Sequence, residues 1–118
     1  MKKDNKIFLN HILESIELIE KYIQNKTEND FLKSNQLQDA VTRRIEIIGE
    51  AIKNIPKKLK EDNPTIPWKE ITGMRDILIH QYFGIDLELT WEVIKRDIPD
   101  LKKKIQKIIL IQENYKKE

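Results

Sequence analysis

Ile7, Phe8, Ile12, Ile16, Ile19 and Ile23 recur mostly at steps of three and four residues, the spacing that places side chains on one face of an α-helix. The pattern predicts a first helix from about Asp4 to Gln24, with Asp4 as its N-cap. Lys26-Thr27-Glu28-Asn29-Asp30 breaks it. Beyond the break, Phe31, Leu32, Leu37, Val41, Ile45, Ile48 and Ile52 carry a second stripe that stops before Pro56, predicting a long helix bent near Ser34-Asn35. Pro56-Lys57-Lys58-Leu59 reads as a short helical turn ended by Asp62-Asn63-Pro64. Pro67 then opens a fourth helix, with Trp68, Ile71, Met74, Ile77, Leu78 and Tyr82 on its inner side, that stops near Gly84. Asp86 caps a fifth segment containing Leu87, Leu89, Trp91, Val93 and Ile94. Pro99 marks the start of a last helix with Leu101, Ile105, Ile108, Ile109 and Ile111, and Lys116-Lys117-Glu118 is expected to fray.

With 118 residues the chain can enclose one hydrophobic core but not two, so residues 1–118 are expected to form a single all-α domain. Hydrophobic residues at 39% and charged residues at 36% suit amphipathic helices with solvated outer faces and argue against disorder. The net charge of +2 is the small difference between 22 basic and 20 acidic residues, so overall charge points neither toward nucleic acid nor away from it. The lack of cysteine removes disulfides, thiolate zinc sites and cysteine nucleophiles, and suits a reducing cytoplasm. Asn10, His11 and Glu14 interrupt the segment after the first lysines, so no signal peptide is expected. Ile108 to Ile111 falls far short of the roughly 20 residues a membrane span needs.

One constellation is left over after folding is accounted for: Arg75-Asp76-Ile77-Leu78-Ile79-His80-Gln81-Tyr82. On a continuous helix, at about 100° per residue, Arg75 and Tyr82 would lie roughly 20° apart, and His80 would follow Asp76 by about one turn. These residue types suit metal-free RNA cleavage, in which a ribose 2′-hydroxyl attacks the adjacent phosphate. That reaction needs proton transfer and stabilisation of a dianionic phosphorane. Histidine titrates in the useful range, arginine offers a fork to phosphate oxygens, and tyrosine can orient phosphate or stack on a base. Asp76 can fix the imidazole tautomer. The same spacing also fits a structural arrangement in which Arg75 pairs with Glu46 or Glu50 while His80 and Tyr82 finish and pack a helix.

Arg44-Ile45-Glu46-Ile47-Ile48-Gly49-Glu50-Ala51, then Ile66-Pro67-Trp68, then Gly73-Met74-Arg75-Asp76 running to His80-Gln81-Tyr82, together resemble the HepT-like family of HEPN ribonuclease toxins. Arg75, His80 and Tyr82 reproduce that family's arginine-x4-histidine-x-tyrosine motif, and the flanking helices fit a five- or six-helix HEPN up-down bundle. The resemblance implies a homodimer whose two motifs face one another across a cleft and cut RNA without a metal or other cofactor. Arg75 and His80 would be catalytic, with Tyr82 and Asp76 supporting. It also implies a type VII-like toxin–antitoxin pair, in which a cognate nucleotidyltransferase antitoxin attaches AMP to Tyr82. Many relatives have asparagine where this chain has Asp76, a carboxylate that repels RNA unless a neighbour neutralises it. The alternative is a non-catalytic HEPN interaction module that binds a nucleotidyltransferase partner or a nucleotide.

Other features weigh less. His11 suits a surface contact better than metal ligation. Lys53, Lys57, Lys58 and Lys60 could guide RNA but fit a solvated face better, as do Lys102-Lys103-Lys104. Trp68 and Trp91 suit packing, and Glu46 and Glu50 suit pairing with arginine.

Overall fold

The computed structural model describes the backbone of residues 2–80 and 84–117, and side chains within 6–78 and 86–114. The first helix, α1 (Lys2–Ile23), buries Leu9, Ile12, Ile16, Ile19 and Ile23 along one side. It begins before Asp4, so Asp4 does not cap it. Ile7 lies off the buried stripe at 48% exposure and Leu9 takes the inward position. After α1 the chain turns through Asn25 at φ 62, a left-handed conformation that asparagine tolerates, while the Lys26 N–H donates to the Ile23 carbonyl at 2.9 Å.

The polar break is itself a start signal. The Thr27 hydroxyl accepts from the Asp30 N–H at 3.1 Å and the Asp30 carboxylate accepts from the Thr27 N–H at 2.9 Å, a reciprocal box that opens α2 (Glu28–Lys33). Those bonds, chiefly the one from the Thr27 backbone, hold the Asp30 carboxyl below its ordinary pKa. The bend expected near Ser34 is a full interruption: Ser34 is extended at φ −114, ψ 103, and its hydroxyl accepts from the Leu37 N–H to cap α3 (Asn35–Lys53). A short serine side chain competing for backbone donors explains why the apolar stripe runs on while the helix does not.

α3 carries Val41, Ile45, Ile48 and Ile52 into the core against α1. The expected turn after Pro56 is α4 (Lys57–Asp62), and Pro67 precedes α5 (Trp68–Thr72). The long fourth helix does not form. Gly73 closes α5 by donating to Ile71 and Lys69 carbonyls, and a second short helix, α6 (Met74–Leu78), follows. The chain then becomes extended: β1 (Ile79–His80) pairs antiparallel with β2 (Gly84–Ile85), in register Ile79 with Ile85 and His80 with Gly84. The Asp86 N–H locks the base of this pair by donating to the Leu78 carbonyl at 2.7 Å.

Asp86 caps α7 (Leu87–Glu92) as expected, its Oδ1 accepting from the Leu89 N–H at 3.2 Å. α7 runs without a break through a π-helical segment, Val93–Asp97, into α8 (Ile98–Lys117). Pro99 therefore sits inside a rod and does not begin a helix. In a plain α-helix its ring would press on the carbonyl four residues back, and the wider turn, where the Ile98 N–H donates to Val93, makes the room. The helix extends through Lys117, and Glu118 lies outside the described residues. α8 packs on α1, and Phe31 meets Trp91 with ring centroids 5.6 Å apart, tying α2 to α7. The architecture is an all-α bundle whose only sheet among the described residues is the two-residue pair. It divides into more and shorter helices than the five or six expected because Ser34 and Gly73 each split a segment. No helix of the described residues is long and apolar enough to cross a membrane.

Candidate functional site

Arg75 is positioned by the residues on either side of it. Trp68 anchors α5 through its indole N–H, which donates to the Lys60 and Asn63 carbonyls at 3.1 and 3.0 Å. Gly73 lets the chain restart at once, accepting from Asp76 and Ile77 N–H groups at 3.0 and 3.3 Å. Met74 and Leu78, one turn apart on α6, are buried, and Arg75 is rotated about 100° from Met74. It meets α3 there. Its Nε donates to Glu46 Oε2 at 2.9 Å, and its Nη1 lies 3.5 Å from Asp76 Oδ1. The Arg75 side chain is 51% exposed and that of Glu46 30%.

The Glu46 hydrogen bond is the largest influence on Arg75 and raises its pKa further above an already high value, with a smaller contribution from Asp76. The guanidinium is thus a permanent cation with its Nε occupied. Its two Nη groups, of which only Nη1 has an acceptor among the described residues, form the edge that a phosphate could take. Glu50, the other carboxylate considered for Arg75, lies 3.5 Å from Lys53 instead.

His80 is in β1, and its side chain lies outside the described ones; Tyr82 lies outside the described residues altogether. Because the helix ends at Leu78, the expected stripe of Arg75 with Tyr82 and the one-turn relation of Asp76 to His80 are not produced by helical periodicity. Asp76, at 81% side-chain exposure, is directed toward Arg75.

The lesser candidates fall on their structural side. Trp68 is 8% exposed, and Trp91 packs on Phe31 with the Lys95 ammonium 5.6 Å from its ring centre. His11 is exposed and stands edge-on to Phe8 at 6.3 Å. Lys53 and Lys58 are paired with Glu50 and Asp62, Lys102 with Glu20 at 2.7 Å, and Lys104 with Asp100 at 3.0 Å, so part of the positive charge of each lysine group is offset by neighbouring carboxylates. A cavity of about 410 Å³ lies between α5–α6 and the rod, lined by Ile71, Met74, Leu78, Val93 and Leu101. Arg75 is not among its walls, and an apolar floor does not suit phosphate, so the candidate site is the Arg75 face and not this cavity. The partnership of Glu46 with Arg75 spans 29 residues of sequence and is one of the two pairings, to Glu46 or to Glu50, that the residue types allow.

Residues 12–108 match the model of a family described as ribonuclease HepT-like. A Methanocaldococcus jannaschii protein whose name joins gamma-glutamylcyclotransferase to an RNase assignment is 67% identical over 109 residues, a match covering 92% of this chain and 49% of that protein. A Thermococcus cleftensis protein named probable ribonuclease HepT is 49% identical over 108 residues, covering 92% of this chain and 98% of that protein. A Caldanaerobacter subterraneus subsp. tengcongensis protein with an RNase assignment is 44% identical over 102 residues, covering 86% and 91% respectively. The chain thus spans about half of the first relative's length and most of the other two. No solved structure gives a significant match.

Proposed function

The chain belongs to the HepT-like ribonuclease family, and from that premise we propose that it is the endoribonuclease toxin of a toxin–antitoxin pair, cutting RNA without a metal. The observation that carries this reading is Arg75: a permanent cation, half exposed, held at its Nε by Glu46 and followed at family spacing by His80 and Tyr82. In the proposed reaction the 2′-oxygen attacks the adjacent phosphorus as His80 moves the proton. The bond from phosphorus to the 5′-oxygen breaks, and the leaving oxygen takes up a proton, giving a 2′,3′-cyclic phosphate and a 5′-hydroxyl. Arg75 stabilises the charge that accumulates on the phosphoryl oxygens, where a preorganised donor is most effective. Tyr82 orients the substrate, and two protomers place their motifs across one cleft.

A nucleotidyltransferase antitoxin that transferred AMP from ATP to the Tyr82 oxygen, with loss of the hydroxyl proton and release of pyrophosphate, would add a negative phosphate close to Arg75 in sequence that could compete for the same cation. Asp76 beside Nη1 lowers the net positive charge that RNA meets, which favours the second reading, a non-catalytic module in which Arg75 is a structural ion pair. Cleavage of a mixed RNA pool in EDTA separates the two. Wild-type protein, shown by mass spectrometry to be unmodified at Tyr82, should cut, whereas His80→Ala and Arg75→Ala should each lose about 100-fold or more. RNA left intact by verified, unmodified dimer would overturn the nuclease in favour of the module.

A further inference from the structure

Arginine in a phosphate site is effective only when its fork is aimed, because an exposed guanidinium samples many rotamers and loses that freedom on binding. Arg75 has few means of being aimed by its own element. α6 is five residues long, and Arg75, Asp76 and Ile77 are all exposed. The restraint comes from α3, where Glu46 is less exposed than Arg75 and sits on a 19-residue helix whose neighbouring Ile45 and Ile48 are buried.

We propose, resting on the ribonuclease reading above, that Glu46 is the positioning residue for Arg75, fixing the guanidinium through Nε so that the Nη edge is presented to the scissile phosphate. The 2.9 Å bond uses the one donor that lies nearest the aliphatic stem, and so restricts rotation about the last side-chain bonds without occupying the edge needed for bidentate phosphate contact. The second acceptor makes the restraint consequential. Asp76 Oδ1 stands 3.5 Å from Nη1, a long contact that would tighten if Glu46 let go, turning the phosphate-binding edge onto a carboxylate of the same helix. Glu46 thereby serves orientation and keeps Arg75 from closing onto Asp76.

The test compares Glu46→Ala, Glu46→Gln and Arg75→Ala with wild type in single-turnover cleavage of one RNA, with circular dichroism to confirm equal helicity. Glutamine keeps an acceptor at the same reach, so Glu46→Gln should stay within about three-fold of wild type while Glu46→Ala loses about ten-fold in the cleavage rate with little change in apparent RNA affinity. A readout independent of activity is the Nε–H proton resonance of Arg75, assigned by its disappearance in Arg75→Ala. It should be protected from solvent exchange in wild type and Glu46→Gln and unprotected in Glu46→Ala. Equal loss in the glutamine and alanine variants, or an Nε–H that stays protected without Glu46, overturns the positioning role. If Arg75→Ala cuts as well as wild type, the nuclease reading of Arg75 fails and takes this role with it. If Arg75→Ala is impaired but Glu46→Ala is not, only the positioning role fails.

Discussion

Replacing Gln38 with leucine would remove two hydrogen bonds while leaving side-chain volume almost unchanged. Gln38 is 9% exposed on α3, and its Nε2 donates to the Phe31 carbonyl at 2.9 Å and the Leu32 carbonyl at 3.2 Å. Both carbonyls belong to the last turn of α2, where no donor exists farther along the same helix. A typical bond of this kind contributes about 1 kcal/mol, and a buried group left unpaired costs up to about 3 kcal/mol. The two halves differ. Leu32 is 36% exposed, which gives water access near its carbonyl, whereas Phe31 is fully buried and its carbonyl would keep only the 3.4 Å contact from the Ser34 N–H. The expected loss is about 2 kcal/mol, or a fall in Tm of roughly 8 °C for a domain of this size. Gln38→Glu sharpens the test: a carboxylate has no hydrogen to give and sets its charge against two carbonyl oxygens, so it should be worse than leucine at neutral pH. Urea unfolding followed by circular dichroism, at constant m-value, gives both numbers. A leucine variant with an unchanged midpoint, or a glutamate variant as stable as wild type, would refute the reasoning.

Gly49→Ala should raise stability by up to about 1 kcal/mol, because the added methyl meets the Thr72 carbonyl oxygen at 3.5 Å, an ordinary contact, while helical glycine is unfavourable; a lowered melting temperature by calorimetry would contradict the spacing of α3 and α5. Asp86→Ala should cost about 1 kcal/mol and Asp86→Asn much less, with faster hydrogen exchange at the Leu89 amide in the alanine variant only. The hydrogen bond to Glu20 holds the Lys102 pKa above its ordinary value. A raised folded value means the pair's contribution, at most about 1 kcal/mol, is complete below the unfolded lysine pKa of about 10.4 and fades as pH rises through the folded one. Lys102→Met should therefore narrow its stability gap from wild type only on the alkaline side, and a gap that closes toward acid down to about pH 6 would reverse the sign.

Much of this fold can be read from spacing. Ile12, Ile16, Ile19 and Ile23 of α1 and the Val41-Ile45-Ile48-Ile52 stripe of α3 are buried where period alone puts them, and Asp86 caps where a short acidic side chain before an apolar run should. What escaped were decisions taken against the period. Ser34 and Gly73 interrupt helices without interrupting the apolar pattern, since they act on backbone hydrogen bonds and the pattern records only burial. Pro99 misled for a related reason: proline suits a first turn, and nothing local distinguishes that from a proline seated after a widened turn. At the candidate site, Arg75 and its carboxylate companions were visible as residue types. The choice of Glu46 over Glu50, and the end of α6 at Leu78, depend on how separate elements meet, which no spacing along one element contains.

The widened turn at Val93–Asp97 has an implication for how this chain can change length. A turn of that kind holds one residue more than an ordinary helical turn, so it behaves as an insertion that the rod has absorbed. Removing one residue there would give uniform winding and leave the faces before and after it in phase, because the extra residue is accommodated within the turn and is not passed on along the rod. Leu101, Ile105 and Ile108 would stay buried and Trp91 would stay on Phe31. Pro99 is the obstacle, since its ring would be returned to a turn too narrow for it. Homologous chains that lack the extra residue should therefore lack the proline as well, whereas a residue added to the rod outside this turn would swing its two ends by about 100°.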